Sequence, residues 1–153
     1  MDRRDIGAWL EGPRARTSAG QYPGQGLGMP PSGPGAIGTF GRRLVAVLVD
    51  WTVCQLIAAA FLGVPWGQGG PRSFLVLAVF ALENLLLVGT LGFTLGHRAA
   101  GLQVRGLSGG RATFLQVLAR TVLLCLFLPA VFWDRDGRGL HDRVPNTVIV
   151  RTR

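Results

Sequence analysis

Hydrophobic residues along this chain are gathered into three blocks rather than spread over repeating faces. They cover residues 44–62, 74–95 and 114–133, each near the ~20 apolar residues that a helix needs to cross a bilayer core. Polar positions are sparse inside them: Asp50, Thr52 and Gln55 in the first, Glu83, Asn84, Thr90 and Thr94 in the second. A helical bundle of a soluble protein would carry a continuous polar stripe on each helix, and these blocks have none. The pattern predicts an all-α membrane protein with two transmembrane helices and a third membrane-embedded helix, spanning or re-entrant, over 114–133.

The connecting segments read differently. Residues 12–38 hold eight glycines and five prolines among 27 positions, a composition that favours neither a helix nor a core, so 1–38 is expected to be a flexible N-terminal region and 39–153 the membrane domain. Within the first residues, Ile6, Trp9 and Leu10 fall at i, i+3, i+4, a spacing that could dock one helical turn on a bilayer or a partner; a frayed terminus is the alternative. Residues 101–105 and 146–151 both look like short strands, the first followed by the turn-like 106–110. They predict a small β-ribbon between loop and tail, provided both lie on one side of the membrane.

Charge gives the orientation. The 153 residues include 16 basic ones and a formal net charge of +8, and every basic residue is arginine. Six arginines precede the first block (Arg3, Arg4, Arg14, Arg16, Arg42, Arg43), whereas the loop 63–73 has only Arg72; the positive-inside rule therefore predicts a cytoplasmic N-terminus in a multi-pass cell-membrane protein. The loop 96–113, with Arg98, Arg105 and Arg111, returns to the same side. A tail bearing Arg135, Arg138, Arg143, Arg151 and Arg153 obeys the rule only if the third block re-enters, for which Pro129 offers a bend. Such flanks would attract anionic lipids. Nucleic-acid binding is disfavoured, because the arginines surround apolar spans without aromatic interleaving. An export signal before the first block is disfavoured by its length, its late start and its central acid.

Individual residues then stand out against this background. An acid at the depth of Asp50 costs about 2.5–3.5 kcal/mol on insertion scales, so it needs a partner or a task. Arg43 is seven residues earlier, about 10 Å away along a helix, which places it at the interface and out of direct contact. Arg120 would lie at matching depth in the third block, and the expectation is an intramembrane Asp50–Arg120 ion pair. Glu83, near the middle of the second block, is with Asp50 the candidate proton- or ion-handling group. Gly89, Gly92 and Gly96 form a small-residue face permitting close helix contact. Cys54 and Cys125 suit buried apolar roles, and His97 and His141 suit interface hydrogen bonding. A charged turn is the favoured reading of residues 134–142 over a cation site; no metal and no cofactor is expected. Nothing forms a nucleophile–base pair or a phosphate loop, which disfavours a hydrolytic enzyme. Two or three spans enclose no pathway alone, so a homo-oligomer or a membrane partner is expected.

Taken together, Arg43, Asp50 and Asp142 resemble the arginine and two aspartates of the RDD family of small bacterial integral membrane proteins. The stretch Thr94-Leu-Gly-His-Arg-Ala-Ala-Gly-Leu-Gln-Val104 is similar to that family's TxGKxxxGLRV segment, and Arg138-Gly-Leu-His-Asp-Arg-Val-Pro-Asn-Thr-Val148 to its RGLHDxLAGTVV ending. His97 stands where lysine is common and Pro145-Asn146 where Ala-Gly is common. The resemblance implies an undefined activity, with transport of an ion or small ligand suggested, some members being linked to cation–proton antiport. A non-transporting scaffold or accessory subunit that recruits a partner through its N-terminal region is the alternative.

Overall fold

A computed structural model describes residues 21–126 and 137–153 of the chain. Two long helices dominate: α1, Phe40–Leu62, and α2, Ser73–Leu91. At 1.5 Å per residue they are about 35 Å and about 28 Å long, enough to cross hydrocarbon. Then follow α3 (Leu95–Ala100), strand β1 (Leu102–Gly106), α4 (Phe114–Cys125), α5 (Leu140–Arg143) and strand β2 (Thr147–Arg151). α1 stops at Gly63, whose left-handed backbone (φ +62°) turns its N–H to the Ala58 carbonyl, a closure that glycine permits without strain.

α2 is not uniform. Asn84–Val88 is wound as a π-helical turn directly after Glu83. Wider turns of this kind are often found at functional sites. The helix ends at Leu91 because Gly92 adopts φ +83°, and Thr94 then caps α3 by accepting from the His97 N–H. The apolar block over 74–95 is thus one span plus the start of a new short helix. Of the expected small-residue face, only Gly96 makes a close helix contact. A Cβ there would overlap the Ala46 carbonyl, whereas one on Gly89 would meet nothing within 4 Å.

β1 and β2 pair antiparallel, from Leu102 opposite Arg151 to Gly106 opposite Thr147. The expected ribbon therefore forms, and loop and tail lie at the same end of the helices. Asn146 takes φ +56° just before β2, a conformation that asparagine tolerates better than most residues. α4 begins with a capping box between Thr113 and Gln116. It has 12 residues, and the rest of the third apolar block, with Pro129, lies outside the described residues.

The N-terminal region departs from the tether expected of it. Residues 21–38 fold onto the ribbon: Ile37 bridges Val150, and Gly38 N–H donates to the Ile149 carbonyl at 2.8 Å. Glycine and proline lower helix propensity, but the unpaired edge of β2 and the apolar patch of Val148 and Val150 give Ile37, Leu27 and Met29 something to pack against. Residues 1–20, including Ile6, Trp9 and Leu10, lie outside the described residues.

Two apolar clusters hold the helices together. Ala46, Val88, Leu102, Val104, Val117 and Ile149 join the bundle to the ribbon. At the far end Cys54, Ala58, Val64, Val76 and Phe80 pack with Trp51, whose ring meets Phe80 edge to face at 6.1 Å. Most of each long helix stays uncovered. Val47, Leu48, Leu56, Ile57 and Phe61 on α1, and Leu75, Leu82, Leu86 and Leu91 on α2, are exposed. Faces this apolar need lipid or another protein surface to cover them.

Candidate functional site

Polar groups converge where α1, α2, α3 and α4 meet beneath the ribbon. Asp50 is 2% exposed, and its two oxygens are held separately. Oδ1 accepts from the Gly96 N–H at 2.6 Å, and Oδ2 accepts from the Thr94 hydroxyl at 2.5 Å. Both donors come from the first turn of α3. That turn can come so close to α1 because Gly96 carries no Cβ; one built there would lie 2.8 Å from the Asp50 carboxyl carbon.

Thr94 also faces His97. Its Oγ1 lies 2.6 Å from His97 Nδ1 and accepts from the His97 backbone N–H at 3.1 Å. Nδ1 stands 4.0 Å from Asp50 Oδ2. Burial, helped by the nearby Arg120 and Arg43 charges, pushes the His97 imidazole down to about 3, so the ring is neutral at ordinary pH.

On the other side of Asp50, α2 supplies Glu83. Its Oε2 accepts from the Cys54 thiol at 3.1 Å, and its carboxyl lies within side-chain hydrogen-bonding reach of Asp50. The two acids proposed from the sequence for ion or proton handling are therefore neighbours. Cys54 is more than the apolar filler expected of it, because its thiol is a donor to this pair. Asn84, first residue of the π turn, is buried and returns its amide to the Phe80 carbonyl at 3.0 Å.

A second polar centre lies beside the first, around Asp142. This carboxylate is fully buried. Oδ2 sits 3.4 Å from Arg43 Nη1 and 3.5 Å from His141 Nε2. Oδ1 meets Arg120 Nη1 and accepts from the Thr147 hydroxyl at 3.2 Å. Arg43 further donates Nε–H to the Gly38 carbonyl at 2.9 Å.

This arrangement corrects three expectations. Arg120 makes its ion pair with Asp142 and not with Asp50, since α5 folds back under the bundle and delivers a carboxylate that helix depth alone could not foresee. Asp50 still feels the Arg120 charge, but its direct partners are Thr94 and Gly96. Arg43, expected at the interface, is 5% exposed, because the returning tail covers it. Asp142 is likewise an interior anion rather than part of a charged surface turn. Asp134 and Asp136 lie outside the described residues, and among the described residues no group of three His, Cys, Asp or Glu side chains is placed to hold a metal ion.

The structure thus gathers Arg43, Asp50, Glu83, Arg120 and Asp142 into one region and adds Thr94, His97, His141, Thr147 and Cys54. Hydropathy places Thr94 inside the second apolar block, and nothing in the sequence points it or His97 at Asp50. Chemically, the site pairs one ion-paired anion, Asp142, with one carboxyl, Asp50, whose direct partners are a hydroxyl and a backbone N–H, with an acid and a neutral imidazole beside it.

No curated protein and no solved structure matches this chain. A family model does, that of the RDD family, over residues 37–146. These limits take in Arg43, Asp50, Glu83, Thr94, His97, Arg120 and Asp142, and with two uncovered apolar helices long enough to span a bilayer, the chain belongs to the RDD family of membrane proteins.

Proposed function

We propose that this protein is a transport-related membrane subunit that handles protons or a cation at the Asp50–Glu83 carboxyl pair. The observation that carries this reading is the placement of two carboxyls, from two different spans, within hydrogen-bonding reach of each other inside the bundle. Like charges this close in a low-dielectric setting disfavour simultaneous ionisation, so such a pair exchanges a proton, or a proton for a cation, more readily than two isolated acids. The π turn directly after Glu83 supports the reading, since wider turns of this kind are often found at functional sites.

Two spans enclose no pathway, and the exposed apolar faces of α1 and α2 suit an oligomer or a membrane partner. In this reading the chain sits in the cell membrane with its N-terminus and ribbon cytoplasmic, the third apolar block re-entering from that side, and no enzymatic step is involved. Anionic lipids would gather at the ribbon end. There a cavity of about 320 Å³ is lined by Arg98, Arg153, Gln103, Thr152, Phe93 and Leu102. The test is ion flux in proteoliposomes: Asp50→Asn should abolish most of it, and unchanged flux removes Asp50 from the role.

A scaffold is the second reading. It is favoured by the Arg43–Asp142–Arg120 cluster, which ties the tail to two helices and has the character of architecture. Deleting residues 1–20, which leaves the segment packed on the ribbon in place, separates the two, because a transport core would keep its flux and a recruiting subunit would lose its partner.

A further inference from the structure

Thr94 has one hydroxyl proton and three close polar neighbours. The His97 backbone N–H can only donate, and takes one lone pair. The remaining neighbours are Asp50 Oδ2 at 2.5 Å and His97 Nδ1 at 2.6 Å. Both distances are those of hydrogen bonds, yet a hydroxyl donates only once. One of these two contacts must therefore donate to Thr94 while Thr94 donates to the other.

Only two proton arrangements satisfy this count. With Asp50 ionised, Thr94 donates to Oδ2 and the imidazole must carry its proton on Nδ1. With Asp50 protonated on Oδ2, the acid donates to Thr94, Thr94 donates to Nδ1, and the imidazole must carry its proton on Nε2. We propose that Thr94 couples the protonation of Asp50 to the tautomer of His97, so that the three residues form a proton relay leading from the carboxyl pair to α3. Nδ1–H passes its proton to Thr94 Oγ1, Thr94 passes its own to Asp50 Oδ2, and solvent supplies one proton to Nε2. His97 remains neutral throughout, and the net change is one proton taken up at Asp50.

Three further observations fit this assignment. His97 is neutral because burial holds it near 3, so a tautomer switch is available where a charged ring would block it. The Gly96 N–H fixes Oδ1 as an acceptor and leaves Oδ2 as the oxygen that can gain the proton. His97 belongs to the first turn of α3 and Asp50 to α1, so the relay joins two elements whose side chains stand 4.0 Å apart. The groups facing Asp50 are Glu83 from α2, Arg120 from α4, His97 from α3 and Cys54 from its own helix; those facing His97 are Arg43, Arg120 and Asp50.

The relay rests on the reading of Asp50 as an acid that gains and loses a proton, but its test does not require transport. Nitrogen-15 NMR of the full chain in lipid reports which His97 ring nitrogen is protonated, and the carbon-13 shift of the Asp50 carboxyl reports its ionisation. In the wild type the Nδ1–H tautomer should be present wherever the carbon-13 shift shows Asp50 ionised, and should give way to Nε2–H as Asp50 takes up its proton. Asp50→Asn should lock His97 as Nε2–H, because Gly96 N–H holds the amide oxygen and turns the NH₂ group toward Thr94. Thr94→Ser should keep the coupling and Thr94→Val should abolish it. His97 found as Nε2–H while the Asp50 carboxyl is ionised, an Asp50 carboxyl that never changes ionisation across the titration, or a tautomer indifferent to both Asp50 ionisation and Thr94→Val, overturns the relay; the wild-type titration decides even if a variant fails to fold. Intact coupling in a chain that moves no ions would remove the transport reading and leave the relay standing.

Discussion

Arg43 and Asp142 are 99 positions apart and meet at 3.4 Å inside the bundle. The contact fastens the C-terminal tail to the first turns of the first long helix, and Arg120 closes on the second oxygen of the same carboxylate. Two buried guanidiniums thus share one carboxylate.

This sharing ranks three variants. Asp142→Asn removes the carboxylate that both arginines share and should cost about 3–5 kcal/mol, the usual result of breaking a buried pair from one side. Arg120→Met leaves the Arg43–Asp142 contact in place and should cost less. Arg120→Met combined with Asp142→Leu should recover part of the loss relative to Asp142→Asn. Thermal unfolding in lipid checks the order, and additive effects would deny the coupling.

The glycines of the former small-residue face should behave oppositely. Gly96→Ala drives a methyl into the Ala46 carbonyl and against Asp50. It should cost at least the ~1–3 kcal/mol of an overpacked core, and the lost Gly96 N–H contact should disturb Asp50 as well. Gly89→Ala adds its methyl to open space within a helix, and should be neutral or stabilising by about 0.5–1 kcal/mol. Equal effects of the two would contradict the packing of α3 on α1.

His97 makes stability fall on acidification. Its imidazole is held near 3 in the folded chain against an ordinary 6.5, so below that ordinary value the unfolded chain takes a proton that the folded one refuses. Stability should drop by up to about 1.36 kcal/mol per pH unit as pH falls from 6.5, levelling off near the folded value. His97→Gln should flatten this slope. A mutant whose melting temperature follows pH as steeply as the wild type would place the effect elsewhere.

The ribbon fixes sidedness. In a chain with Cys54 and Cys125 replaced by serine, Ser108→Cys beyond β1 and Thr152→Cys beyond β2 should label from the same side of a sealed membrane. Gln68→Cys, exposed in the connection between α1 and α2, should label from the opposite side. Labelling of positions 108 and 152 from different sides would mean that the strands do not pair.

How far the sequence led follows from what each signal measures. Hydropathy over 44–62 and 74–95 reports the solvent of a whole helix, and both long helices are where it placed them. Alternation over 101–105 and 146–151 reports a strand, and the pairing followed once a shared side was assumed. Helix depth, by contrast, carries no information about a segment that folds back, so Arg120 was matched to Asp50 while Asp142, supplied by a four-residue helix, took the contact. Composition misjudged residues 21–38 for a related reason, because glycine and proline content describes what a segment does alone and not what a free strand edge does for it. Asn146 shows the reverse case. It stands where the family commonly has glycine, and its φ of +56° states the backbone reason that makes glycine common there.

The pairing of residues 36–38 with β2 also has a mechanical side. Gly35, Ala36 and Gly38 exchange backbone hydrogen bonds with Arg151 and Ile149, two residues before α1 begins, and the Gly38 carbonyl is itself a ligand of Arg43. A pull on the N-terminal segment would therefore not be absorbed by slack. It would load the ribbon and the Arg43 side chain together, and through Asp142 the force would reach α4, so that any protein gripping the N-terminus holds a handle on the interior of the bundle.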